Sequence, residues 1–179
     1  MNNFRINFAF ILVMVTSLLV SNNAFATDLR VGDMAPSFVM QGTDGKSYDL
    51  ASFKGKQAVV LAWYPMASTR GCTIECKSLT EKGHLIREFD VSYFMASVDE
   101  IDKNKTFANE QKADFPLLSD PKKKAAKAYD VLNVFGVASR VTFYIGKNGK
   151  ILHIDENVKP KTSAEDIASN LAKVGVDKA

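Results

Sequence analysis

The sequence predicts an α/β domain whose mixed central sheet is covered by helices on both faces. The first observation is the alternation of short apolar runs, typical of strands, with longer amphipathic stretches, typical of helices. The second is the continuous apolar run 58–64, which is typical of a strand buried on both faces. The third is Asn148-Gly149, a tight-turn sequence that predicts an antiparallel hairpin late in the chain.

The first half of the domain is predicted to contain a hairpin, two further strands and a long helix. The hairpin joins residues 38–41 to residues 46–50 through the favourable turn sequence Thr43-Asp44-Gly45. The further strands are the buried run described above and the run 91–98, and a helix over about residues 72–89 lies between them. A crossover of this kind between parallel strands is expected to be right-handed.

The second half is predicted to contain three helices and the late hairpin. One helix starts near Asp102, with Phe107 as its inward-facing anchor. The next starts at Asp120-Pro121, where an N-cap acid precedes a proline at the first helical position. The last opens on the capping box Thr162-Ser163-Ala164-Glu165. The two hairpin strands and the end of the last helix are predicted at 141–145, 151–154 and about 174.

Residues 1–26 have the pattern of a secretory signal peptide. Arg5 supplies a positive start, residues 8–20 are almost wholly apolar, and Ala24-Phe25-Ala26 fits the small-x-small cleavage pattern. The apolar run is shorter than the ~20 residues that a membrane-spanning helix needs, which disfavours an uncleaved anchor. We therefore expect an exported protein of the bacterial periplasm, with residues 27–179 as its one domain and no stable membrane contact after cleavage.

The charge balance argues against a nucleic-acid partner. The full chain has a formal net charge of +3, and one of its positive charges, that of Arg5, belongs to the expected signal peptide. The one tight basic cluster, Lys122-Lys123-Lys124, has no interleaved aromatic residues and is interpreted as the solvated first turn of a helix. No Gly-rich phosphate loop and no haem, flavin or zinc ligand pattern is evident, so the sequence implies neither a cofactor nor a metal.

Cys72 and Cys76 are the two cysteines of the chain. A disulfide between them would close a very short loop and remove little unfolded-state entropy, so it would be a weak structural crosslink. Export implies an oxidising compartment, where disulfides persist. The close pair therefore indicates redox or metal chemistry rather than a structural staple.

Cys72 is predicted to lie in the first turn of a helix that follows a buried strand. The backbone N–H groups and the dipole of that helix would stabilise a thiolate, which is the reactive form of cysteine. Gly71 is expected to let the backbone turn tightly, and Thr69 to place a hydroxyl in the same concavity. Pro65 would supply an apolar wall that keeps water from an oxidised sulfur.

The segment Pro65-x-x-x-Thr69-x-x-Cys72 resembles the active-site pattern of the peroxiredoxin family. Arg140, in Arg140-Val141-Thr142-Phe143, resembles the arginine that this family brings to the site from a distant strand. The resemblance extends over most of the chain after residue 30 and is similar to the bacterioferritin-comigratory, or Q-type, branch. The other segments that carry it are 31–38, 115–120, 125–129 and 149–151.

This resemblance implies a thioredoxin-like fold and a thiol-dependent peroxidase that reduces hydrogen peroxide, organic hydroperoxides or both. Cys72 would be oxidised to a sulfenic acid, while Arg140 would hold the thiolate and polarise the O–O bond. The implied partners are a peroxide and a thiol reductant, either a thioredoxin-like relay or a small thiol. We expect a monomer or a weak dimer.

Cys76 is expected to resolve the sulfenic acid by forming a disulfide with Cys72. Residues four apart on an intact helix have Cα atoms about 6 Å apart and side chains poorly aimed for an S–S bond. We therefore predict that residues 72–76 unwind on oxidation. Q-type relatives usually place the second cysteine five residues on, so a one-cysteine enzyme stays open as an alternative. Glu75, in the same turn, either orients Arg140 or is an ordinary first-turn acid.

Other functions stay open on the sequence alone. The spacing of Cys72 and Cys76 also resembles exported copper chaperones of the cytochrome oxidase assembly type, in which a histidine completes a Cu(I) site. The comparable position here holds Arg140, which cannot be a ligand, while His84 and His153 lie elsewhere in the sequence. A thiol–disulfide oxidoreductase is a second alternative, although that class favours C-x-x-C. A non-catalytic module would leave the close cysteine pair unexplained.

Overall fold

The computed structural model describes residues 29–179, and the expected signal peptide lies outside this range. Seven strands, four α-helices and two short 3₁₀ helices follow one another along the described chain. None of the described helices is long and apolar enough to cross a membrane. The strands are β1 (Val39–Gly42), β2 (Ser47–Asp49), β3 (Ala58–Trp63), β4 (Val91–Ser97), β5 (Leu117–Ser119), β6 (Val141–Ile145) and β7 (Ile151–Asp155). The α-helices are α1 (Arg70–Ile86), α2 (Ile101–Gln111), α3 (Lys124–Ala128) and α4 (Ser163–Lys173), and the 3₁₀ helices are Leu50–Phe53 and Pro160–Thr162.

All seven strands form one mixed sheet in the order β2-β1-β5-β4-β3-β6-β7. The central strands β3, β4 and β5 are parallel, while β1 and β6 join them antiparallel on either side. At the centre, Val60 of β3 lies between Tyr93 of β4 and Tyr144 of β6. The carboxyl ends of the three parallel strands therefore meet at one edge of the sheet, together with the beginning of β6. This edge is where sites gather in open α/β sheets.

Buried apolar side chains form one core on each face of the sheet. The core under α1, α2 and α4 includes Val60, Phe107 and Tyr144. The core under α3 and the first 3₁₀ helix includes Trp63 and Phe143. Every residue of β3 is buried, and the strand contributes to both cores. The prediction of a sheet covered by helices on both faces is therefore confirmed.

Most of the predicted elements are confirmed, with small shifts at their ends. Both hairpins form at the predicted turns, and Phe107 is fully buried on α2. Helix α1 begins two residues earlier and ends three residues earlier than predicted, at Arg70 and Ile86, and Cys72 lies in its first turn as predicted. The sequence does not predict β5, because three residues are too few to show a strand period.

The start of α3 differs from the prediction. The helix begins at Lys124 rather than at Asp120-Pro121, because Lys123 takes a left-handed conformation with a φ of 57°. The Asp120 carboxylate still stabilises the helix, since it accepts hydrogen bonds from Lys124 N at 3.0 Å and from Ala126 N at 2.8 Å. The acid therefore caps the helix from further upstream than the sequence pattern indicates.

The predicted capping box of α4 has the right position but not the predicted hydrogen bonds. Thr162 is the N-cap residue, and its hydroxyl donates to Asp166 at 2.7 Å instead of accepting from a backbone N–H. The carboxylate of Glu165 forms an ion pair with Lys82 of α1. Glu165 of the predicted capping box therefore links α4 to α1, the helix that carries both cysteines.

Candidate active site at the first turn of helix α1

A short loop carries the chain from the end of β3 to the start of α1. Tyr64 is still fixed by the sheet, since its N–H donates to the Ala96 carbonyl at 2.9 Å. Pro65 follows and is half-buried. Ser68 then takes a left-handed conformation with a φ of 63°, and Thr69 is the exposed N-cap residue of α1. The residue of this loop with a left-handed backbone conformation is therefore a serine rather than a glycine.

Two hydrogen bonds fix the conformation of this loop. Ala67 N donates to Asp99 Oδ2 at 2.8 Å, and the Thr69 hydroxyl donates to the Met66 carbonyl at 2.9 Å. The Asp99 side chain is 10% exposed and pairs with Lys103 Nζ at 2.5 Å. Asp99 follows β4 at the same edge of the sheet, so this carboxylate anchors the loop from the neighbouring strand.

Cys72, Glu75 and Arg140 are in direct contact. Arg140 Nη2 donates to Cys72 Sγ over 3.2 Å, and Arg140 Nη1 forms an ion pair with Glu75 Oε2. Cys72 is 1% exposed and the Glu75 side chain is wholly buried. A buried carboxylate needs a paired cation, so this ion pair both stabilises Glu75 and holds the guanidinium of Arg140 in place. This contact agrees with the interpretation of Glu75 as the residue that orients Arg140.

Arg140 reaches the cysteine because of the register of the sheet. The two residues are 68 positions apart in the sequence. Arg140 immediately precedes β6, and Val141 of β6 pairs with Trp63 at the end of β3. Since β3 and β6 are antiparallel, the beginning of β6 lies beside the point where the loop to α1 departs.

Gly71 has a different role from the predicted one. It lies within the first turn of α1 and has no left-handed backbone conformation, so a tight turn does not require a glycine here. A Cβ atom at this position would lie 3.2 Å from Arg140 Nη2. Gly71 therefore leaves the space through which the guanidinium reaches the sulfur.

Cys76 lies one turn further along α1 in a different environment. It is fully buried, and burial raises the pKa of its thiol from 9.0 to about 12, an effect that the neighbouring Cys72 adds to and Thr80 opposes. The Thr80 hydroxyl donates to the Cys76 carbonyl at 2.8 Å. Both cysteines are free thiols in this structure.

The two histidines lie at other positions in the fold. His84 is exposed in the last turn of α1, and His153 of β7 packs against Tyr144 with ring centroids 5.2 Å apart. Within residues 29–179, no group of three or more His, Cys, Asp or Glu side chains is arranged to hold a metal ion. The side chain that faces Cys72 is Arg140, which has no free lone pair to offer a metal.

Comparisons with known proteins agree with this site. The profile of the AhpC/TSA family matches residues 31–154. The chain is 29% identical over 152 residues to peroxiredoxin Bcp of Escherichia coli (strain K12), covering 81% of this chain and 96% of that relative. It is 31% identical over 157 residues to the chloroplastic peroxiredoxin Q of Populus jackii, covering 80% and 73% respectively. The crystal structure of peroxidoxin BcpB from Mycobacterium tuberculosis matches with a TM-score of 0.74 and 26% identity, covering 82% of this chain and 99% of that chain.

The chain therefore belongs to the AhpC/TSA family, as a peroxiredoxin of the bacterioferritin-comigratory, or Q-type, branch. It is a thiol-dependent peroxidase, and the predicted thioredoxin-like fold is confirmed. The comparisons do not favour the copper-chaperone and oxidoreductase alternatives.

The structure places the predicted site residues on three neighbouring segments at one edge of the sheet. Cys72 and Arg140 are brought into contact, Pro65 and Thr69 lie in the loop before α1, and Cys76 lies one turn beyond. The sequence does not indicate Asp99 as part of the site. The one available signal is its position directly after a buried strand, at the edge where the carboxyl ends of parallel strands meet.

Proposed function

We propose that Cys72 attacks the peroxide and that Arg140 stabilises both the attacking thiolate and the departing oxygen. The observation that carries this proposal is the contact of 3.2 Å between Arg140 Nη2 and Cys72 Sγ. The thiolate attacks one peroxide oxygen, so an S–O bond forms while the O–O bond breaks. The other oxygen leaves with the bonding electron pair, takes a proton and is released as water or an alcohol. Cys72 is left as a sulfenic acid.

Arg140 is suited to this role because its guanidinium is fixed before the reaction. Glu75 occupies Nη1, which leaves Nη2 for the sulfur and for the oxygen on which negative charge develops. A donor that is already in place needs no reorganisation in the transition state. Removing one such donor typically lowers a rate by roughly 10²–10³-fold.

Thr69 and Pro65 are proposed to shape the peroxide-binding position. The Thr69 hydroxyl hydrogen is donated to the Met66 carbonyl, so what Thr69 offers a substrate is an oxygen lone pair that accepts the peroxide proton. Pro65 has no backbone N–H and presents apolar ring atoms. Its half-buried position at the end of β3 supports a role in keeping water from the sulfenic acid.

Cys76 is proposed to be the resolving cysteine. Its thiolate attacks the sulfur of oxidised Cys72, the S–S bond forms, and the sulfenic hydroxyl leaves as water after protonation. An intact helix opposes this step, because Cβ atoms must approach to about 3.8 Å and the buried thiol has a pKa of about 12. Unwinding residues 72–76, beginning at the first turn, removes both obstacles. The N-cap Thr69 makes no side-chain hydrogen bond to the helix, so this turn lacks the ~1 kcal/mol that a cap contributes.

The proposed setting is the bacterial periplasm. The pattern of residues 1–26 supports export by a cleaved signal peptide, and the intact mass of the protein purified from a cell envelope fraction tests cleavage after Ala26. The reductant there would be a thioredoxin-like relay or a small thiol. We expect a monomer or a weak dimer without stable membrane contact.

Peroxide consumption with a dithiol reductant tests the proposed chemistry. Cys72→Ser is expected to lose activity completely. Cys76→Ser is expected to consume one equivalent of peroxide but to lose turnover with a thioredoxin-like dithiol. Turnover retained in Cys72→Ser would overturn the assignment of the attacking residue.

A further inference from the structure

A hairpin loop beside the site presents two large apolar side chains to solvent. The loop is 131–139, and its tip is the turn 133–136. Val134 is 94% exposed and Phe135 is 87% exposed, which makes them the most exposed large apolar side chains of the described residues. The central positions of a turn normally hold proline, glycine, asparagine, aspartate or serine. Turn chemistry therefore does not explain why valine and phenylalanine occupy them here.

The backbone of the tip is held by hydrogen bonds. Asn133 N donates to the Val137 carbonyl at 3.0 Å, and Gly136 N donates to the Asn133 carbonyl at 2.9 Å. Phe135 N donates to the Asn133 side-chain oxygen at 2.9 Å. Gly136 has a φ of 74°, which a residue with a side chain would adopt only with strain. The two apolar side chains therefore project from a fixed base.

The side chain of Lys123 lies next to the tip, and three further lysines are its neighbours in the same segment of the chain. A Cβ atom on Gly136 would lie 3.0 Å from Lys123 Nζ, so this ammonium group touches the turn. Asp120 is buried and accepts from backbone N–H groups of α3, while Asp130 is exposed at the other end of that helix. This lysine cluster consists of Lys122, Lys123, Lys124 and Lys127, and none of them pairs with a carboxylate of residues 29–179.

We propose that the tip and the lysine cluster form a docking surface for an anionic lipid bilayer. Val134 and Phe135 would enter the boundary between headgroups and acyl chains, and the unpaired lysines would contact the anionic headgroups. Two projecting side chains cover far less than the ~800 Å² that each partner buries in a stable protein interface. A lipid surface therefore fits the tip better than a second protein does. Such a contact would be reversible, as expected for a protein that keeps no membrane anchor after cleavage of its signal peptide.

The position of the tip has a consequence for the site. Arg140 follows the same loop, and the chain from Phe135 to Arg140 spans at most about 18 Å when fully extended. Docking would thus hold Cys72, which Arg140 contacts, close to the lipid surface. The docking itself depends on the surface residues and not on the proposed peroxidase chemistry.

Vesicle flotation tests the proposal. All seven described strands and both cores lie within residues 29–179, so the chain from Thr27 onward, the expected mature form, contains the whole described fold and is used in the assay. Vesicles of phosphatidylcholine alone are compared with vesicles of equal parts phosphatidylcholine and phosphatidylglycerol. We expect binding to the anionic vesicles, and a loss of about tenfold in affinity in Val134→Ser/Phe135→Ser. Lys122→Gln/Lys123→Gln is expected to lose about tenfold or more.

The matched control variants replace side chains of the same kinds at other positions on the surface. Val31→Ser/Met34→Ser removes two exposed apolar side chains, and Lys54→Gln/Lys56→Gln removes two charges at the opposite edge of the sheet, before β3. Both controls should bind like the wild type. Hydrogen peroxide consumption should be unchanged in the tip and lysine variants, which separates a failure of docking from a failure of the peroxidase assignment.

Three results would overturn the proposal. The first is no binding of the wild-type protein to anionic vesicles, and the second is binding that the tip and lysine variants leave unchanged. The third is a dimer in equilibrium sedimentation that dissociates in Val134→Ser/Phe135→Ser, because this assigns the tip to a second copy of the chain.

Discussion

Helix α1 carries one cysteine in its first turn and one in its second, and the two lie beside different groups. In the first turn, Cys72 Sγ accepts a hydrogen bond of 3.2 Å from an arginine that Glu75 fixes. Both cysteines belong to the same apolar core, and at Cys76, in the second turn, burial raises the pKa to about 12. Depth does not distinguish them, since Cys72 is 1% and Cys76 0% exposed. What distinguishes the two sulfurs in the structure is therefore the guanidinium that contacts Cys72.

This difference separates the two steps of the proposed reaction. In the proposed reaction, Cys72 attacks the peroxide while the helix is folded, because Arg140 contacts it in that state. In the same proposal, Cys76 becomes the second nucleophile when residues 72–76 unwind and its thiol regains an ordinary pKa. Under this proposal, the folded helix keeps Cys76 from reacting before Cys72 is oxidised.

The largest expected effect concerns the reactivity of Cys76 toward iodoacetamide. A raised thiol pKa leaves less thiolate at every pH below it, so labelling of Cys76 should keep increasing as the pH rises toward 12. Near about pH 8, Cys76 in the folded reduced protein should react roughly 10³-fold more slowly than in urea. Peptide mass spectrometry reports each site separately. Equal labelling of Cys76 in the folded and unfolded protein would remove the contrast between the two turns.

The same shift predicts how the pH changes stability. The folded-state pKa of Cys76 is raised, so the unfolded chain loses this proton first as the pH rises. The contribution to stability is fully present below about pH 9 and is lost between about pH 9 and 12. Denaturant unfolding of Cys76→Ala over this range should show a shallower loss of stability than the wild type.

Substitution of Arg140 tests the charged half of the comparison. Arg140→Met should lower the rate of peroxide reduction by about 10²–10³-fold, because the fixed donor is lost. It should also destabilise the fold by about 3–5 kcal/mol, because Glu75 is left buried and unpaired. The double variant Arg140→Met/Glu75→Gln is the control, and it should recover stability but not rate. Recovery of the rate would mean that Arg140 has only a structural role.

Substitution of Glu75 tests whether fixing the guanidinium matters. Glu75→Gln keeps the shape of the side chain but removes its charge, so Arg140 should be positioned less firmly. We expect a loss of about tenfold in the rate constant for peroxide, measured by stopped flow. Glu81→Gln, on an exposed position of the same helix, is the matched control and should have no effect. An unchanged rate in Glu75→Gln would make the ion pair dispensable for the chemistry.

The smallest expected effect concerns the anchor of the loop. Asp99→Ala removes the acceptor of the Ala67 N–H, so the loop before α1 should become less ordered. We expect a loss of about 1–2 kcal/mol in stability and a few-fold loss in rate. Asp114→Ala removes an acid that pairs with Arg87 at the surface and should leave the rate unchanged. Equal effects of the two substitutions would show that Asp99 has no special link to the site.

Sequence patterns predict the fold further than they predict the contacts within the site. Periodicity and turn chemistry locate six of the seven strands and all four helices, because each of these signals is local. Strand β5 is too short to show a period, and the left-handed Lys123 moves the start of α3. The spacing of Pro65, Thr69 and Cys72 identifies the loop and helix of the site, since these residues are neighbours in the chain.

The remaining features of the site depend on distant segments. Arg140 and Cys72 are 68 positions apart, so their contact is fixed by the register of β3 and β6 rather than by any local pattern. The same holds for the space that Gly71 leaves for the guanidinium and for the anchoring of the loop by Asp99. A local sequence pattern shows which residue type stands at such a position, but it does not show which distant residue that side chain contacts.

Mass spectrometry after the addition of one equivalent of peroxide tests the central claim most directly. In the wild type we predict a disulfide between Cys72 and Cys76, together with faster amide hydrogen exchange in residues 70–76. In Cys76→Ser we predict one added oxygen, located on Cys72. A stable sulfenic acid on Cys72 of the wild type with Cys76 still free would contradict the resolving role. Oxygen found on Cys76 with Cys72 unmodified would contradict the division of labour between the two turns.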